Sequence, residues 1–131
     1  MEELIQFVTE FHQAFEVDIQ EKPGQHLPAE SYELRHRLMQ EENDEYLAAC
    51  QKEDLREIAD ALGDQLYVLL GTVISHGLQD HIVEVFKEIH RSNMSKLDHE
   101  GKAIRRADGK VLKSDRFFSP DIGRILKNEE I

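Results

Sequence analysis

Six carboxylates in the middle of the chain fall into two short-spaced sets: Glu41, Glu42 and Glu45 in "EENDE", and Glu57, Asp60 and Asp64 in "EIADALGD". Oxygen donors spaced three and four residues apart suit a hard divalent cation. Mg²⁺ takes an octahedral set of oxygens and keeps waters or substrate phosphates in its shell. Zinc is not indicated, because the seven histidines form no H-x-x-x-H or H-E-x-x-H pair. His12 and His90 are the two that could approach an acidic site. There is no G-x-S-x-G, no Walker-type loop and no G-x-G-x-x-G. The single cysteine, Cys50, has no histidine at a telling spacing and reads as a packed thiol. One cysteine also allows no internal disulfide, which fits a reducing cytoplasm.

Whether these acids form a site or a solvated face depends on the helices that carry them. Leu4, Val8, Phe11 and Phe15 recur at helical spacing and predict a first helix over residues 2 to 17. "EKPGQHLP" breaks the chain. A second helix is expected over 29–51 and a third over 54–76, stopped by Gly77. A fourth is expected over 79–95. Beyond Lys96 the helical period disappears, and Asp108-Gly109 predicts a small hairpin. In "SPDIGRIL", Ser119 is the expected N-cap of a short last helix, with Pro120 at its first position. The expectation is an all-α, single-domain protein: an antiparallel helical bundle over residues 1–95, then a basic arm and short helix over 96–131.

Helical geometry at 100° per residue places Glu41 and Glu42 at about −40° and +60° from Glu45. Leu34, Leu38 and Ala49 share that arc, so these glutamates interrupt an apolar stripe instead of lying opposite it. Carboxylates on a core-facing stripe have to be paired, protonated or bound to metal. Glu57, Asp60 and Asp64 span about 60° of the third helix, with Ile58, Leu62, Leu66, Leu69 and Val73 nearly opposite. From Leu66 to Ile74 that helix is apolar almost all round, which predicts burial by a second subunit, with Gly71 permitting close approach.

A net charge of −11 over 131 residues argues against a nucleic-acid polymer as partner. The basic residues gather between Lys96 and Arg116, where an arm could bridge to phosphates through a cation. No apolar run is expected to span a membrane, and no signal segment is read at the start.

"EENDE" followed by "DALGDQLYVLLGT" resembles the E-E-x-x-E and E-x-x-D pattern of the all-α nucleoside triphosphate pyrophosphohydrolases. The closest likeness is to the branch of MazG-like and phosphoribosyl-ATP pyrophosphohydrolase-like proteins. "HRSNMSK" at 90–96, "DGKVLK" at 108–113 and "PDI" at 120–122 follow in the same order. The resemblance implies hydrolysis of a nucleoside triphosphate between the α and β phosphates, dependent on Mg²⁺ with Mn²⁺ able to substitute. The substrate would be dUTP or a modified deoxynucleotide, in nucleotide-pool housekeeping. By position, Glu42 and Glu45 match metal ligands, Glu41 a further ligand or the base, and Asp64 the last aspartate. The family's remaining glutamate would fall at Ala61, so Asp60 is the expected substitute and Glu57 the reserve. Asn93, Lys96 and Lys110 are the implied substrate contacts. A homodimer or dimer of dimers is expected. The alternatives are the same chemistry on phosphoribosyl-ATP, or a non-catalytic helical nucleotide-binding or oligomerisation module.

Overall fold

The computed structural model describes residues 1–24 and 26–127. They are organised in two compact units, Met1–Asp80 and the chain from His81 onward. The architecture is all-α, with four principal helices and one two-stranded ribbon.

The first unit holds α1 (Glu2–Ala14), α2 (Ala29–Gln51) and α3 (Leu55–Ser75). The first helix stops three residues before the expected position. Glu16 adopts a left-handed φ of +57°, and the Val17 N–H turns back to the His12 carbonyl at 2.8 Å. The segment that follows wraps the C-terminal end of α3. The Gln20 N–H donates to Ile74 O at 3.1 Å, and Ser75 Oγ donates to Asp18 O at 3.0 Å. Gly77 ends α3 as expected, at φ +73°, and a Cβ there would stand 2.3 Å from the Lys22 carbonyl oxygen.

A three-residue link joins α2 to α3. Asp54 caps α3 by accepting from the N–H groups of Arg56 at 3.0 Å and Glu57 at 3.2 Å. The two helices run antiparallel. Gln65 Nε2 donates to Asn43 Oδ1 at 3.0 Å, and two turns further Arg35 Nε donates to Thr72 Oγ1 at 3.1 Å. Ala49 and Ala61, both buried small side chains, line the link end of this hairpin. The apolar core is compact: Val8, Leu70 and Ile74, with Ile5 and Ile19 against them.

Gly71 does not serve the purpose read from the sequence. The space its missing side chain leaves is taken within the same chain, by Arg35 and His12. Among the described residues α3 is also the one helix long and apolar enough by composition to cross a membrane, which the shorter Leu66–Ile74 run did not suggest. It carries Asp60 and Asp64, and both α1 and α2 pack on it.

The second unit comprises α4 (Ile82–Met94), strands β1 (Ile104–Arg105) and β2 (Val111–Leu112), and α5 (Ile122–Leu126). The hairpin forms where expected, pairing Ile104 with Leu112 and Arg105 with Val111. The cap of α5 differs: Asp121, not Ser119, accepts the Arg124 N–H at 3.2 Å. Its own N–H is held by Glu88 Oε2 at 2.7 Å, which fixes Asp121 one position before the first helical residue. Glu88 is only 4% exposed and also receives Arg91 through two hydrogen bonds, at 2.8 and 3.1 Å. The Arg91 hydrogen bonds, then the Asp121 N–H, hold its carboxyl down to about 2.

Candidate metal centre

Glu42 and Glu45 lie three residues apart on one face of α2, and the antiparallel hairpin sets Asp64 of α3 opposite them. Each offers a carboxylate oxygen, and these oxygens all lie within 4.8 Å of one another. No basic side chain pairs with Glu42, Glu45 or Asp64 among the described residues. Repulsion is therefore built into the metal-free site.

The electrostatics follow from that crowding. Glu42 is pushed up to about 7, first by desolvation, then by hydrogen bonding with Glu45 and by the charges of Glu45, Asp64 and Glu41. Asp64 is raised too, by desolvation and then by Asp60 and Glu45. Glu42 Oε2 is buried with no hydrogen-bond partner. A half-buried glutamate with one orphaned oxygen, grouped with two further carboxylates, is a set of hard donors, and that fits Mg²⁺ or Mn²⁺. Glu42, Glu45 and Asp64 are the residues that would hold the ion.

The remaining candidates divide. Glu41 is exposed and lies outside the trio, acting on Glu42 through its charge. Asp60 presses on Asp64 in the same way, and it shares with Glu45, Ala49 and Ala61 the lining of a cleft of about 250 Å³. Glu57 lines that cleft as well, but Lys52 Nζ stands 3.3 Å from its carboxylate. Ala61 is 3% exposed and presents only a methyl group to the cleft.

On the second unit, Asn93 and Lys110 are exposed and Lys96 is half-buried at the end of α4. Their neighbours in the arm have structural work. Arg106 pairs with Asp108, Arg105 donates to Gly109 O at 3.2 Å, and Lys113 lies 4.6 Å from the Phe117 ring centre. Two residues escaped the sequence reading. Lys52 brings a cation to the cleft, and its place at the C-terminal end of α2 was the available signal. Arg35 lies buried between α2 and α3, and nothing in "ELRHRL" separates it from the surface-type Arg37.

Residues 8–93, from within α1 almost to the end of α4, match the sequence model of a family described as phosphoribosyl-ATP pyrophosphohydrolase. No curated protein matches the chain.

Proposed function

We propose, from the premise that this chain belongs to the phosphoribosyl-ATP pyrophosphohydrolase family of MazG-like pyrophosphohydrolases, that it cleaves nucleoside triphosphates between the α and β phosphates. Membership gives the type of reaction, a pyrophosphohydrolysis. The observation that carries the finer reading is the trio Glu42, Glu45 and Asp64, with its orphaned Glu42 oxygen, inside the matched segment.

Held there, Mg²⁺ or Mn²⁺ would supply charge neutralisation at the phosphates and make a nearby water more acidic. The protein's own groups do the rest. Glu42 would have to shed its proton to hold the ion, with Asp64 and Glu45 as the other residues of the set. Water attacks the α phosphorus, its proton passes to Glu41 or to Glu45, and the bond to the β phosphate breaks to release pyrophosphate and a monophosphate. Asp60 adds a further oxygen from the cleft. Asn93, Lys96 and Lys110 are the proposed nucleotide contacts. Exposed apolar faces support self-association as a homodimer or a dimer of dimers: Phe7 and Phe11 on α1 with Phe15 just beyond it, and Leu62, Leu66 and Leu69 on α3.

A panel of canonical, deoxy and modified nucleoside triphosphates, including dUTP, with phosphoribosyl-ATP alongside them, tests the reading. With Mg²⁺ or Mn²⁺, at least one triphosphate should yield stoichiometric pyrophosphate and monophosphate, and Glu45→Gln should lower turnover by about 10² or more. Release from phosphoribosyl-ATP alone would move the substrate to that compound, and no release from any member would sink the proposal.

A further inference from the structure

Arg35 is 7% exposed, yet no carboxylate pairs with it among the described residues. Its guanidinium instead spends two donors on α3, Nε on Thr72 Oγ1 at 3.1 Å and Nη2 on Val68 O at 2.9 Å. Thr72 Oγ1 itself donates to Val68 O at 2.8 Å, so the three groups close a small ring across the two helices. A buried cation with no carboxylate in direct contact, only the charge of Asp18 acting on it from further off, is costly, and an apolar side chain would fill the same space more cheaply. What an apolar side chain lacks is direction: a planar fork bonded to two fixed acceptors permits one axial setting of α2 against α3.

The first helix of this unit brings His12 beside the fork. His12 is 2% exposed on α1, and its Nδ1 faces the Asp18 carbonyl at 2.9 Å. A carbonyl only accepts, so Nδ1 carries the hydrogen, and in the neutral ring Nε2 keeps its lone pair within reach of the guanidinium's charge. Burial, and the Arg35 charge after it, hold the imidazole below its usual range and keep that ring neutral. Gly71 provides the room. A Cβ there would meet Arg35 Nη2 at 2.6 Å and His12 Nε2 at 2.7 Å.

Along α2, Glu42 lies two turns from Arg35, about 10 Å on the same face. Asp64 lies the same two turns from Gly71, back along α3. The second polar tie beside the acids, Gln65 to Asn43, is exposed and weak by comparison. Nothing at the trio draws the two helices together: among the described residues no basic side chain pairs with Asp64 on α3 or with Glu42 and Glu45 on α2. We propose that Arg35 is a positioning residue: its clamp on Val68 and Thr72, backed by His12 across Gly71, sets the register that brings Asp64 opposite Glu42 and Glu45. This rests on the reading of that trio as a cation site.

The test uses the full chain with Mn²⁺ as probe, free Mn²⁺ being read by electron paramagnetic resonance. Arg35→Met should weaken Mn²⁺ about tenfold or more while helix content is kept, as losses of outer-shell support do. Arg35→Lys, which reaches one acceptor, should fall between, and Thr72→Val should weaken binding less but in the same direction. Val8→Ala, a core truncation on α1, should lower the unfolding midpoint yet leave Mn²⁺ affinity within about twofold. Equal Mn²⁺ affinity in Arg35→Met and Val8→Ala overturns the proposal. Should Arg35→Met fail to fold, wild-type affinity in both Arg35→Lys and Thr72→Val overturns it.

A metal-free readout separates the two ideas. Spin labels at Asp44→Cys and Leu62→Cys, in a Cys50→Ser background, report the α2–α3 setting directly. A single narrow distance that shifts or broadens with Arg35→Lys supports the register role even if wild type binds no Mn²⁺, in which case the metal reading alone has failed. An unchanged distance overturns the register role.

Discussion

At the scale of single residues, the proton on Glu42 decides how the site behaves near neutrality. Its folded value of about 7 stands above the ordinary 4.5, so the folded, metal-free protein binds more protons than the unfolded chain in that interval. The stability this carboxyl contributes is complete below its ordinary value and is lost as the pH rises through about 7. A divalent cation bound at the proposed site would compete with the same proton. Mn²⁺ affinity should therefore climb by up to about tenfold per pH unit below 7 and level off above it. Calorimetry in buffers of different ionisation enthalpy should record proton release at pH 7 that vanishes in Glu42→Gln. Asp60→Asn should keep the fold and lower turnover strongly if Asp60 supplies the oxygen that Ala61 lacks. Unchanged turnover would remove it from the site.

At the scale of elements, two joints carry specific loads. Gly77→Ala would force a methyl group into the Lys22 carbonyl and strain a left-handed φ, so it should lower stability by about 2 kcal/mol or more in chemical denaturation. Glu88→Gln would withdraw a charge from Arg91 and Arg124 and weaken the hold on the Asp121 N–H. Because Glu88 titrates far below its ordinary value, its contribution is complete above about 4.5 and lost as the pH falls toward 2. Amide exchange of α5 should accelerate in the variant at pH 6, and the difference from wild type should shrink at low pH.

These same elements show what the sequence could and could not reveal. The bounds of α2 were legible to the residue, since Pro28 precedes it and "QKED" closes it. That Glu42 and Asp64 come together was legible, Glu42 because it interrupts an apolar arc and Asp64 because of its place in the motif. The last cap was misread: Ser119 and Asp121 are both good caps, and the choice was made by Glu88, thirty-three positions away. Arg35 and Gly71 were illegible for the same reason. Both look ordinary until α1, α2 and α3 converge on one spot.

At the scale of the whole molecule, the small core and the exposed leucines of α3 set an expectation about association. Leu66→Glu with Leu69→Glu should reduce the sedimenting mass of an oligomer to that of one chain. No change in mass at micromolar concentration would assign those leucines another role. The α2–α3 hairpin carries a different consequence. Its acids lie close in sequence, so the proposed cation site needs only one short turn to close, and contacts this local are expected to form early in folding. In the metal-free chain that early step pushes three carboxylates together. Adding Mn²⁺ during refolding should then speed recovery of the native state, more at pH 8 than at pH 6, which would make the proposed cation a folding partner as well as a catalytic one.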